Sequence, residues 1–201
     1  MSSSADTVAA MRGAIAALKE AGEIDTSSTG WKNTLPRFPE TAVAKDAQIY
    51  WVVETNHGTV KIKLMPDVAP NHVRNTMYLS ELGFYDDLTF HRVITGFMAQ
   101  GGCPSGNGMG GPGYHFDGEF SPTARHDRKG LLSMANAGPG TDGSQFFLTF
   151  TSTPHLDDNH TIYGEVTEGQ PVIEELEKRG SGGGITTEPL QMIKTTIEVD
   201  N

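Results

Sequence analysis

Phe90-His91-Arg92-Val93-Ile94, followed after Thr95 by Gly96-Phe97-Met98-Ala99-Gln100-Gly101-Gly102, decides how the rest of this chain is read. Successive side chains of an extended strand point to opposite faces, so Phe90, Arg92 and Ile94 are expected on one face and His91 and Val93 on the other. A permanent cation would then sit on a half-buried face. Charges leave water only when they gain a partner. Either a carboxylate meets Arg92 in the interior or the guanidinium serves a ligand, and this stretch alone leaves both open.

Outward from here the same period-two alternation recurs. Val60, Ile62 and Leu64 alternate with Lys61 and Lys63, and Thr55-Asn56-His57-Gly58 separates them from residues 48–54, which predicts a hairpin with one wet face. Residues 88–94, 97–101, 131–134, 145–149, 161–166 and 191–199 are further strand candidates, making eight with the hairpin. Two helices are expected, at 69–82 with Pro70 in its first turn and Gly83 beyond its end, and at 171–178 followed by Gly180. Many short strands and few helices imply a mainly β fold, a closed eight-stranded antiparallel barrel capped by two helices, because closure removes exposed sheet edges.

Residues 1–47 read as an N-terminal extension ahead of a domain spanning 48–201. Val8, Met11, Ile15 and Leu18 recur at spacings of three and four, which predicts a short amphipathic helix over 6–21, with Ser4 or Asp6 as its cap and Gly22 at its end. A helix this short is marginal alone, so it is either docked or frayed. Trp31 and Phe38 stand out in a linker carrying Pro36 and Pro39, and burial against the main domain would satisfy both.

With 15 basic and 25 acidic residues among 201, the net charge of −10 argues against nucleic acid or an anionic membrane surface as a partner. Cys103 is the only cysteine, so no internal disulfide forms. The opening residues show no cationic stretch leading into an apolar run, and no window has the roughly 18 apolar residues of a membrane span, so a cytoplasmic location is expected.

Several patterns that could carry other chemistry fall short. Gly106-Asn107-Gly108-Met109-Gly110-Gly111 satisfies the spacing of a dinucleotide loop, but Pro112-Gly113-Tyr114 follows instead of a helix to receive a pyrophosphate. None of the seven histidines has a recognised metal-ligand spacing, and no metal or other cofactor is expected. Ser133 and Ser144 lack a nucleophile elbow, and Cys103 has no evident base.

Fifty residues downstream of the opening stretch comes Leu132-Ser133-Met134-Ala135-Asn136-Ala137-Gly138-Pro139-Gly140-Thr141-Asp142-Gly143-Ser144-Gln145-Phe146-Phe147, then Pro154-His155-Leu156-Asp157 and His160-Thr161-Ile162-Tyr163-Gly164. Together with the first stretch these strings resemble the cyclophilin family of peptidyl-prolyl cis/trans isomerases, from about residue 49 to 199. The resemblance implies the same barrel. It also implies Arg92 as the catalytic residue, Phe97, Met98, Phe147 and Leu156 as an apolar socket for proline, and Asn136, with Ala135 beside it, as backbone that pairs with an extended peptide. Gln100 and Gln145 match polar residues lining the site, Gln100 being suited to orient Arg92, and His160 matches a pocket-edge histidine.

Rotation about an Xaa-Pro bond meets a barrier of roughly 18–20 kcal/mol from amide resonance, while cis and trans differ by only about 0.5–1 kcal/mol. A catalyst need only favour the twisted state, in which the prolyl nitrogen regains a free lone pair. A guanidinium donating to that lone pair binds the twisted state better than either planar one. The implied partners are proline-containing peptides and folding proteins, taken by a monomer. The alternative is a proline-binding scaffold with incidental isomerase activity, which would not require the arginine. His155 stands where the best-known eukaryotic members carry tryptophan, so weak cyclosporin binding is expected.

Overall fold

A computed structural model describes residues 3–200. Eight strands form one antiparallel sheet: β1 (Ile49–Thr55), β2 (Gly58–Leu64), β3 (Arg92–Ile94), β4 (Met98–Gly101), β5 (Leu131–Met134), β6 (Phe146–Thr149), β7 (Ile162–Glu168) and β8 (Met192–Val199). Their spatial order is β3-β4-β6-β5-β7-β2-β1-β8. The sheet curls until its outer strands meet, but irregular backbone rather than a strand ladder joins them. Phe90 N–H donates to Leu190 C=O at 2.8 Å, Met192 N–H donates to Leu88 C=O at 2.8 Å, and Thr89 and Gln191 form an isolated bridge.

The two expected helices are α2 (Pro70–Glu81) and α3 (Gln170–Lys178). Pro70 begins α2, where its missing N–H costs nothing, and Gly83 beyond its end has φ 73°. Helix α2 packs on β8 and α3 on β2, β3 and β4. The sheet encloses Trp51, Tyr85 and Phe146, all fully buried, with Trp51–Phe146 ring centroids 4.9 Å apart at 80° and Trp51–Tyr85 centroids 5.0 Å apart. Such edge and tilted contacts suit the aromatic quadrupole.

The extension is docked, not frayed. Helix α1 (Ser4–Glu20) buries Val8, Met11 and Ile15 against α2 and β8. Its cap is Ser3, one residue earlier than expected, because Asp6 N–H donates to Ser3 Oγ while Ser3 N–H donates back to Asp6 Oδ2. Arg12 clamps Glu81 of α2 with two bonds of 2.8 and 2.9 Å. At the far end Gly22 has φ 73° and Glu23 N–H closes onto Leu18 C=O. Phe38 is buried edge-on to Tyr114 and Phe116, and Trp31, half-buried, packs edge-on to Phe84. Beyond Trp31 the linker reaches the glycine-rich loop, where Leu35 N–H donates to Pro112 C=O at 2.9 Å.

Candidate active site

Arg92 is not on a half-buried face. It is exposed, and β3 runs for three residues only, so Phe90 lies in the irregular backbone before it and is buried. Alternation that holds within a strand does not carry phase across a break in the ladder. Register then explains the site. Arg92 pairs with Gln100, Gln100 with Phe147 and Phe147 with Ser133, one row across β3, β4, β6 and β5. Directly opposed residues share a face. The adjacent row, Val93, Ala99, Leu148 and Leu132, is fully buried and faces the interior, so the Arg92 row belongs to the outer face.

A relay of amides holds the guanidinium. Gln145 Nε2 donates to Gly108 C=O at 2.8 Å and Gly110 C=O at 2.9 Å. Two carbonyls can only accept, so the amide group of Gln145 must turn its Oε1 the other way. There it accepts from Gln100 Nε2 at 3.0 Å, which leaves Gln100 Oε1 to accept from Arg92 Nη1 at 3.2 Å. Among the described residues no carboxylate lies within salt-bridge distance of Arg92. The glycine-rich stretch thus remains a loop, as expected, and its carbonyls aim Gln145.

Of the apolar side chains, Phe147 is the cross-strand partner of Gln100, and Met98 shares its strand and face with Gln100 two residues on. Phe147 and Met98 are buried, Phe97 and Leu156 partly so. Phe147 stacks on His126, with centroids 6.2 Å apart at 14°, and meets the His160 ring edge-on at 5.6 Å. His126 is fixed from both sides, with Nδ1 2.8 Å from Asp157 Oδ1 and Nε2 2.9 Å from Ser133 Oγ. Burial pushes its pKa below the ordinary imidazole value, with the Asp157 carboxylate opposing. His160 Nδ1 is 2.8 Å from Met134 C=O, and exposed His155 lies 5.7 Å from the Phe97 ring.

Ala135 N–H donates to Gln145 C=O at 2.9 Å, which brings the segment 135–137 alongside. Asn136 uses its side chain on Asp142 and on Asn159 C=O, at 2.9 and 3.0 Å, and among the described residues its own backbone N–H and C=O bond to nothing. An open cavity of about 660 Å³ lies between these residues and the glycine-rich loop, lined by Gln100, Ala135, Asn136 and Gln145, with Asn33 of the linker at its edge. Phe97, Met98, Phe147, Leu156 and His160 do not line it. Gln100, which lines the cavity, is the cross-strand partner of Phe147, which does not. Reading the sequence alone missed His126, the Gly108 and Gly110 carbonyls and Asn33, since none has a spacing that relates it to the groove.

The family model described as cyclophilin type peptidyl-prolyl cis-trans isomerase/CLD matches residues 50–197. Peptidyl-prolyl cis-trans isomerase A of Mycobacterium tuberculosis is 45% identical over 163 residues, covering 72% of this chain and 90% of that protein. A peptidyl-prolyl cis-trans isomerase of Helicobacter pylori is 45% identical over 141 residues, covering 69% and 85%. Among solved structures, a Cryptosporidium parvum cyclophilin type peptidyl-prolyl cis-trans isomerase superposes with TM-score 0.72 at 33% identity, over 77% of this chain and 99% of its own. A second structure of that protein, in the presence of the dipeptide Ala-Pro, has TM-score 0.72 at 34% identity, over 75% and 99%. Helix α1 and the linker precede the family match, which runs from β1 into β8 and takes in every strand and helix between them. By sequence and by fold, this chain belongs to the cyclophilin family and is a peptidyl-prolyl cis-trans isomerase.

Proposed function

We propose that the chain turns Xaa-Pro bonds by non-covalent electrostatic stabilisation of the twisted imide, with Arg92 as the donor to the prolyl nitrogen. One observation carries this reading: an exposed guanidinium that forms no ion pair among the described residues, oriented by Gln100, which Gln145 orients in turn and which stands across from Phe147. A structural arginine would be spent on a carboxylate, whereas this one keeps its charge for a ligand. Phe97, Met98, Phe147 and Leu156 hold the proline ring, with His155 and His160 at its rim. Ala135 and Asn136 offer backbone to the preceding residues. No cofactor takes part, because the reaction breaks no covalent bond.

The substrates on this reading are proline-containing peptides and folding proteins, acted on in the cytoplasm by a monomer made of an extension, 1–47, and an isomerase domain, 48–201. The Ala-Pro dipeptide present with the Cryptosporidium relative fits that substrate class. No helix among the described residues is long and apolar enough to cross a membrane. Cyclosporin binding is weak, through His155. A protease-coupled assay on Xaa-Pro peptides tests the reading when run on the native protein and on Arg92→Ala. Turnover that collapses while peptide binding survives supports it, and unchanged turnover refutes it.

A further inference from the structure

Behind Asn136 runs a chain of polar groups shielded from water. His72 of α2 is fully buried, with Nδ1 2.7 Å from Glu119 Oε2 and Nε2 3.0 Å from Asp142 Oδ2. An ionised carboxylate only accepts, so a neutral imidazole, with one N–H, would satisfy just one of the two. The geometry calls for the doubly protonated ring. Burial alone would lower the pKa of His72, but the bonds to Asp142 and Glu119 outweigh it and hold the ring above its ordinary value. Burial works against the charge on Glu119 in the same way, and its bond to His72 keeps that carboxyl below its ordinary value.

Two aromatic rings also pack on the imidazole. Tyr163 of β7 lies 5.4 Å away with its phenol pushed well above the ordinary value by burial, and Phe116 lies 4.8 Å away. Arg74, on the same helix, is turned to Thr41 C=O and Asn71. At the far end Asp142 Oδ1 accepts from Asn136 Nδ2 at 2.9 Å, and the Asp142 backbone bridges Phe116.

We propose that Glu119, His72 and Asp142 are positioning residues for substrate binding: the imidazolium holds Asp142, which holds the Asn136 side chain so that the Asn136 backbone is presented to the peptide. This rests on the reading of Asn136 as the edge that pairs with substrate. The sign of the pH effect follows. A histidine raised in the folded state contributes fully below its unfolded value of about 6.5, and the contribution is lost as pH rises through the folded value. The lowered Glu119 contributes above its ordinary value and fails only as pH falls through its folded value.

The test measures kcat and KM for a proline peptide across pH on the full chain, with NMR titration of the His72 ring and of the Asn136 amide. The expected result is a three- to tenfold rise in KM as His72 loses its proton, with kcat within twofold. His72→Gln and Asp142→Asn should each raise KM to that extent at pH 6.5 and flatten the profile. A KM that stays constant through the His72 titration, or is unchanged in a folded variant, overturns the proposal. If one variant fails to fold, the other and the wild-type profile decide. An Asn136 amide that ignores added peptide overturns instead the reading of Asn136.

Discussion

Arg92 and Gln100 are direct cross-strand partners on β3 and β4, and Arg92 Nη1 lies 3.2 Å from Gln100 Oε1. The bond sets the direction of the guanidinium while leaving its charge uncompensated. Gln100 can do this only because Gln145 turns its amide, and Gln145 only because two backbone carbonyls turn it in their turn. A long, flexible cation is thereby preorganised by neutral groups, which cost less to desolvate than a carboxylate.

Removing the guanidinium should leave the fold intact, since Arg92 is exposed and forms no ion pair among the described residues. Arg92→Ala is expected to lower kcat/KM at least tenfold, about 1.4 kcal/mol of transition-state stabilisation, with an unchanged melting curve. Steady-state kinetics and thermal unfolding of one preparation check both halves.

Phe147 is buried between the His126 and His160 rings, so its truncation should register twice. Phe147→Ala is expected to lose up to about 3–5 kcal/mol of stability, as for large core truncations, and to weaken turnover. Phe147→Leu should restore much of the Tm without restoring kcat/KM. Recovery of both together would mean that Phe147 serves packing only.

Two truncations separate the duties of the extension. Deleting residues 1–22 removes the buried Val8, Met11 and Ile15, at about 1.5–3 kcal/mol for each side chain re-exposed, but keeps the linker contact with the glycine-rich loop. Its Tm should fall by ~10 °C or more with kcat/KM on short peptides unchanged. A chain starting at Ala47 also loses Asn33 from the cavity edge and the Leu35 bond to Pro112, and should show a raised KM as well. Equal KM in the two would show that the linker does not shape the groove.

His155 is exposed, its ring 5.7 Å from that of Phe97. A tryptophan there would add apolar area and a fixed indole N–H, worth on the order of 1–3 kcal/mol to a ligand that uses both. Cyclosporin should inhibit the native protein weakly, and His155→Trp should tighten inhibition about tenfold or more while peptide turnover stays within a few fold. An inhibition titration on both proteins reads the difference.

The elements were legible in the sequence because each is a local pattern. Val60, Ile62 and Leu64 alternate in β2 as in the sequence, and Val8, Met11 and Ile15 line one face of α1 at helical spacing. Pro70 and Gly83 bracket α2 where their backbone chemistry demands it. The candidate groove residues could be named because they stand in ordered strings that resemble a family, and their roles are the proposal made above. What the sequence could not hold was the face of Arg92. Period two implied a half-buried position shared with Phe90, but the strand begins at Arg92 itself, and the backbone before it turns to bond with residues 190 and 192 of the opposite edge.

Only the folded chain decided which polar groups would meet. Gln145 reaches two carbonyls more than thirty residues away, His126 slides under Phe147, and His72 comes between Glu119 and Asp142. No periodicity encodes such contacts, because each depends on the register of strands that are distant in the chain. Hydrophobic spacing determined what this protein would bury and into which elements. Closing the sheet determined which side chains remained on its outer face, since a charge or an amide acquires its role from the partners that tertiary packing supplies or withholds.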